Sequence, residues 1–159
     1  MRLLVVSDTH GVAYNLINIL EKTDNIDYLI FLGDGIREVE NVLKAYPKIK
    51  FYPVLGNCDM DPFNLYKESD ILKIEGKTVF FCHGHKFFVK SGLGALEQTA
   101  RNIGSELLLF GHTHEAYLKY EDGLYTVNPG SLSKSRSGPC SYALIEVTKN
   151  GILPNIVKI

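Results

Sequence analysis

The chain lacks a surplus of charge of either sign: 17 lysines and arginines face 18 aspartates and glutamates, for a formal net charge of −1. Tight, sequence-independent grip on long nucleic acid is therefore not expected, because it draws on an excess of cations. Cysteine is scarce. Cys58, Cys82 and Cys140 show no C-x-x-C spacing, and an odd count without a framework predicts free thiols in a reducing compartment rather than disulfides. Long apolar runs are missing too. The opening MRLLVVSDTH has only four apolar residues after Arg2, whereas a secretory core needs about 7–15 and a membrane span about 20. The expectation is a soluble, cytoplasmic protein with no membrane partner. Repeats and Pro-, Gly- or Ser-rich linkers are also absent, so residues 1–159 read as a single domain.

What is present is ordinary globular material. Apolar residues make up 45% and charged residues 22% of 159 positions, enough to bury a core and too apolar for disorder. Short apolar runs alternate with amphipathic stretches. The pattern predicts a strand at Leu3–Val6, a helix over Tyr14–Lys22, a strand at Tyr28–Leu32, a helix over Ile36–Tyr46 stopped by Pro47, and a strand at Phe51–Leu55. That order implies parallel pairing with crossovers. Further on, Ile71–Ile74 and Lys77–Cys82 flank Glu75-Gly76 as a hairpin, a helix runs from about Leu93 to Ile103, and a strand spans Glu106–Phe110. Asp122-Gly123 and Asn150-Gly151 mark two more hairpins. Parallel pairing early and antiparallel pairing late suit two packed sheets with helices outside.

The polar residues follow a rule. Each of five predicted strands runs into metal-capable side chains: Asp8 and His10 after the first, Asp34 after the second, Asn57 after the third, His83 after Lys77–Cys82, and His112 with His114 after Glu106–Phe110. Ligand sites in α/β sheets lie beyond the carboxyl ends of strands. All five histidines of the chain fall in these motifs, His85 included. The D-x-H and H-x-H spacings put both members on one side of an extended segment, so both can reach one centre. Asp34 or Asn57 alone would read as a turn residue. In company they read as ligands.

Two carboxylates, one amide and four imidazoles suit borderline metals: manganese first, with nickel, iron, cobalt or zinc as alternatives. Calcium prefers all-oxygen ligation and is disfavoured. Seven ligands exceed the need of one tetrahedral zinc and imply two divalent ions sharing a bridging carboxylate. Such a pair would add four positive charges and attract an anionic ligand without any basic patch.

The order D-x-H, G-D, G-N, H, G-H-x-H resembles the calcineurin-like metallophosphoesterase superfamily. Ser7–Gly11, Gly56–Asp59 and Asn128–Ser131 are similar to motifs of its small prokaryotic phosphodiesterases of the YfcE type. The resemblance spans essentially the whole chain. It implies an α/β fold, a four-layer αββα sandwich of two mixed sheets flanked by helices. It also implies that Asp8, His10 and His114 hold one ion, that Asn57, His83 and His112 hold the other, and that Asp34 bridges them. A water or hydroxide between the ions would attack a small or nucleotide-like phosphodiester.

One departure affects substrate range. The superfamily's common G-N-H-[DE] motif carries a histidine thought to protonate the leaving group, and Cys58 stands in its place. A neutral thiol is a poor substitute, so either easily departing groups are preferred or His85 donates. His10, Asp34, Cys58 and His85 are the candidate catalytic residues. Cys58 as a metal ligand is the lesser reading, since ligands are already sufficient. Asp59 is expected to support its loop or orient a ligand histidine, and a solvated Arg136 outweighs one reaching a phosphate. A phosphomonoesterase using the same site is the alternative. A non-catalytic scaffold of this fold ranks below both, because scaffolds tend to have degraded metal motifs and every principal ligand is present. Oligomeric state, including a homo-oligomer, stays open.

Overall fold

The computed structural model describes residues 1–133 and 138–159, so Arg136 lies outside the described residues. In chain order the elements are β1 (Arg2–Val6), α1 (Tyr14–Lys22), β2 (Tyr28–Phe31), α2 (Ile36–Leu43), β3 (Lys50–Pro53), β4 (Ser69–Ile74), β5 (Lys77–Cys82), a 3₁₀ turn (His85–Phe87), α3 (Gly94–Ile103), β6 (Leu107–Leu109), β7 (Ala116–Glu121), β8 (Leu124–Pro129), β9 (Ser141–Thr148) and β10 (Gly151–Lys158). They form two five-stranded sheets, ordered β10-β9-β1-β2-β3 and β4-β5-β6-β8-β7.

Strand alternation explains the layering. Leu3 and Val5 of β1, with Ile30 of β2, pack between the sheets against Phe81, Leu107 and Leu109. Their neighbours Leu4, Val6, Leu29 and Phe31 face the other way, onto Leu16, Ile19 and Leu20 of α1 and Val39 and Leu43 of α2. On the far side, Phe80, Leu108 and Phe110 cover Leu96 and Ala100 of α3. Strands buried on both faces need apolar residues at every position, which is why these runs are continuous rather than alternating. The result is the expected four-layer αββα sandwich of two mixed sheets.

The division into an early parallel and a late antiparallel half is too simple. Each sheet has a parallel triplet: β1, β2 and β3 at one side of the first, β5, β6 and β8 at the centre of the second. Antiparallel strands lie outside them, β9 and β10 on the first sheet, β4 and β7 on the second. Both parallel triplets deliver their carboxyl ends to the same edge of the sandwich. This is shown by contacts from Leu32 to His83 and from Asp8 to His112 across the sheets.

Several boundaries differ from the sequence reading; β4, for one, begins two residues earlier, at Ser69. Helix α2 stops at Leu43, and the chain continues to Tyr46 in tighter i→i−3 turns, Ala45 N to Val42 O and Tyr46 N to Leu43 O. Pro47 disfavours helical geometry in the residue before it, which ends the helix early. β3 runs Lys50–Pro53; Val54 and Leu55 turn aside to pair with Lys67. β6 shortens to Leu107–Leu109, although Glu106 still bonds Thr78 and Tyr125 through its backbone and Phe110 bonds Val127. The hairpins at Glu75-Gly76 and Asp122-Gly123 form as expected, with both residues of each pair left-handed.

Candidate metal centre

Asp8, Asp34 and His83 are buried to 0%, 2% and 0% exposure at the shared strand ends, and His10, Asn57, His112 and His114 gather around them. Three groups of candidate ligand atoms assemble: Asp8, His10 and His114; Asp34, His83 and His112; and, overlapping both, His10, Asp34 and Cys58. They meet at Asp34, whose Oδ2 lies 3.9 Å from His10 Nε2 and 3.5 Å from His83 Nε2.

The local conformation is not the extended one that the two-residue spacing suggested. Asp8, His10, Asp34, His112 and His114 all have φ between 44° and 68°, left-handed backbone that costs a non-glycine residue about 1 kcal/mol or more. Sharp turns, rather than strand pleat, aim each pair at one point. Such strain clusters where a site over-determines its backbone. The glycines beside these turns make room. A side chain on Gly111 would collide with Ser7 Oγ, and one on Gly56 would collide with Asp34 Oδ1.

Hydrogen bonds fix the three buried members of the cluster. Ser7 Oγ donates to Asp8 Oδ2 at 2.5 Å, and the His112 amide donates to the same oxygen at 3.2 Å. The Cys58 amide donates to Asp34 Oδ1 at 2.7 Å. His83 Nδ1 stands 2.6 Å from the Leu32 carbonyl. A carbonyl only accepts, so Nδ1 carries a proton and Nε2 is turned to the cluster. Facing Nε2 are Asn57 Oδ1 at 3.2 Å and Asp34 Oδ2 at 3.5 Å.

The donor set suits divalent cations. Asn57 Oδ1, His112 Nδ1 and Asp34 Oδ2 converge on His83 Nε2, and Asp8 Oδ1 is buried without a hydrogen bond, the ring nitrogens of His114 and His10 standing 3.1 Å and 3.8 Å away. Buried acceptors facing one another are costly unless a cation joins them. Burial acts to raise the Asp8 pKa, but contact with His114, proximity to His83 and the Ser7 hydrogen bond outweigh it, and the carboxyl titrates below its ordinary value. Burial, with His83 and Lys90 nearby, lowers His112 to about 4. At neutral pH both offer unprotonated ligand atoms.

Cys58 is exposed, and its sulfur lies within 4.8 Å of ligand atoms of His10 and Asp34. Desolvation and the Asp34 carboxylate raise its pKa, so it stands there as a neutral thiol. His85 sits with its ring 5.3 Å from that of His83 and 6.1 Å from that of His112, Nδ1 buried and without a hydrogen bond. Burial, then His83 and Lys86, lowers its pKa.

Supporting residues surround the ligands. Asp59 accepts from four backbone amides, Asp34 N and Gly35 N at 2.8 Å, Gly56 N at 2.9 Å and Ile36 N at 3.0 Å. It ties the two loops together and orients no histidine. Asn128 Nδ2 donates to Gly111 O and Thr113 Oγ1, while Ser131 Oγ and Ser133 Oγ donate to Asp8 O. The N-P-G-S stretch thus anchors ligand loops. Glu38 is missed entirely by the sequence reading. Its Oε1 accepts from Gly11 N at 2.5 Å and Thr9 Oγ1 at 2.8 Å, steadying the D-x-H turn. No local signal marks a helix glutamate as a loop anchor.

Residues 1–150 match the family model of the calcineurin-like phosphoesterase superfamily domain. The probable metallophosphoesterase YsnB of Bacillus subtilis is 29% identical over 138 residues, covering 86% of this chain and 78% of that protein. Phosphodiesterase YfcE of Escherichia coli is 28% identical over 168 residues, covering 92% and 88%. Among solved structures, a phosphoesterase-like protein of Streptococcus pneumoniae superposes with a TM-score of 0.83 at 22% identity, covering 99% of this chain and 88% of that one. Vacuolar Protein Sorting 29 of Cryptosporidium parvum superposes with a TM-score of 0.81 at 22% identity, covering 99% and 91%. Among the described residues, no helix is long and apolar enough to cross a membrane.

Proposed function

The chain belongs to the calcineurin-like phosphoesterase superfamily, and on that premise we propose that it is a phosphodiesterase acting on small or nucleotide-like phosphodiesters at a two-metal centre. The observation that carries this reading is the position of Asp34 Oδ2 between two ligand groups, 3.9 Å from His10 Nε2 and 3.5 Å from His83 Nε2. Asp8, His10 and His114 would hold one divalent ion, Asn57, His83 and His112 the other, and Asp34 would join them. When bound, the ions supply Lewis acidity to the phosphoryl oxygens and make the attacking water more acidic. Manganese is the first expectation for both.

The chain's own residues set the rest. Hydrogen bonds from Ser7, the His112 amide and the Cys58 amide hold both carboxylates in place before any ligand arrives. That removes a reorganisation cost from the reaction. Proton donation to the leaving group is the weak part. The Cys58 thiol titrates above its ordinary value, and His85 below its own. Neither is a strong acid in its protonated form and abundant at neutral pH, so substrates whose leaving groups need little protonation are favoured.

The test compares initial rates on bis(p-nitrophenyl) phosphate and p-nitrophenyl phosphate with manganese or nickel added. A higher kcat/KM on the diester is expected. Preference for the monoester overturns the diesterase reading while leaving a phosphoesterase. A chain that retains no divalent ion and hydrolyses neither compound would be a scaffold. The likeness to Vacuolar Protein Sorting 29, at 22% identity, shows fold alone and does not favour that outcome.

A further inference from the structure

Beside the ligand groups lies a cleft of about 390 Å³, lined by His10 and Asp34 together with Arg37, Glu38 and Met60 among others. That volume falls within the ~300–1,000 Å³ of small-molecule sites, more than a single phosphoryl group requires. His10 and Asp34 belong to both the cleft and the metal centre, so whatever fills the cleft is continuous with the reacting group.

The charges in the lining are not equivalent. Asp34 gives Oδ1 to the Cys58 amide and turns Oδ2 to the ligand atoms. Glu38 is taken up by Gly11 N and Thr9 Oγ1. Asp59 is saturated by four backbone amides. Arg37 is the one guanidinium or ammonium group in the lining, and among the described residues it makes no hydrogen bond or ion pair. None of the three carboxylates is paired with it, so the guanidinium is available to an incoming anion. Its planar fork matches a phosphate by paired hydrogen bonds.

We propose that this cleft is the subsite for a second, terminal phosphate on one arm of the substrate, and that Arg37 is the residue that selects it. The substrate class narrows to phosphodiesters that also carry a phosphate monoester, such as a 5′-phosphorylated dinucleotide. Met60, 75% exposed at the rim, offers an adaptable apolar surface to the sugar or base between the two phosphates. The inference rests on the phosphodiesterase reading above.

The manganese-loaded protein is assayed on thymidylyl thymidine with and without a 5′-phosphate, with bis(p-nitrophenyl) phosphate alongside. The 5′-phosphorylated dinucleotide is expected to have the higher kcat/KM by about tenfold or more, the range of a charge-assisted phosphate contact. In Arg37→Gln that preference should collapse towards unity through a rise in KM, and Arg37→Lys should restore part of it. Binding of thymidine 3′,5′-bisphosphate, followed by calorimetry, should weaken in Arg37→Gln by a similar factor. Equal kcat/KM for the two dinucleotides in the wild type overturns the inference, as does a preference or a bisphosphate affinity that Arg37→Gln leaves intact. Inactivity of the wild type on all three diesters is the failure of the phosphodiesterase reading itself, and the subsite falls with it.

Discussion

Asp34 receives the Cys58 amide on Oδ1 at 2.7 Å, and this one bond aims its Oδ2 at the space between His10 and His83. The loop after β3 thereby sets the angle of a carboxylate that follows β2. Two segments 24 residues apart in the chain act as one part of the centre.

Asp34→Asn keeps Oδ1 as an acceptor for Cys58 N and replaces the shared oxygen with an amide nitrogen that cannot ligate. Turnover should fall by about 10²–10³-fold, the scale of losing one preorganised electrostatic group. Far-UV circular dichroism should stay that of the wild type. Retained activity in this variant would exclude a shared bridge.

Cys58→His puts a titratable imidazole on the cleft wall in place of a thiol whose pKa is raised. Activity on aryl diesters should survive, and diesters with alkyl leaving groups should gain most. The measurement is the ratio of kcat/KM for the two substrate types. An unchanged ratio would mean that position 58 has no part in protonating the leaving group.

Asp59→Ala strips the acceptor from four amides at once. A loss of about 2–4 kcal/mol is expected from the unsatisfied donors, or a fall in Tm on the order of 10 °C. Metal affinity should fall as well, because Asp34 loses its anchor. Calorimetric melting and manganese titration check the two effects separately.

Tyr66 donates its hydroxyl to Glu40 at 2.5 Å, and this bond, followed by burial, pushes its pKa up to about 12. The folded pKa lies above the unfolded value of about 10. The stabilisation is therefore fully present below pH 10 and is lost as pH rises from 10 to about 12. Tyr66→Phe should be less stable than the wild type at pH 8, and the gap should close across that window in denaturant titrations. A constant gap would refute the assigned hydrogen bond.

A bound ion stabilises the native chain by mass action, about 2.7 kcal/mol per site at a hundredfold excess over Kd. Manganese should raise Tm in the wild type and raise it less in His83→Ala, and a chelator should reverse both shifts. Equal shifts in the two proteins would remove His83 from the ligand set.

That these side chains would gather was legible in the sequence because the runs before Asp8, Asp34, Asn57, His83 and His112 are continuous and apolar. Such runs suit buried parallel strands, whose ends then share one edge. The geometry at those ends was not legible. D-x-H and H-x-H read as extended pairs, yet Asp8, His10, His112 and His114 are left-handed, a conformation set by tertiary bonds such as those from Ser131 and Ser133 to Asp8 O. Glu38 escaped notice as an anchor for the same reason, and Asp59, expected to support its own loop, also reaches the loop at Asp34–Ile36. Their partners are backbone amides in distant loops, and an amide leaves no mark in a residue string. The parallel pairing of β6 with β8 was hidden by β7, which lies between them in the chain but outside them in the sheet.

The five left-handed ligand positions carry one last implication. Glycine adopts that backbone without penalty, so His10→Gly or His114→Gly would relax the metal-free chain while removing a proposed metal ligand. A blind selection for thermal tolerance, run without any demand for activity, would drift towards erasing the centre before it improved the core. Wherever natural variants of this chain are compared, imidazoles surviving at these uncomfortable torsions are a record of use, because folding alone would have discarded them.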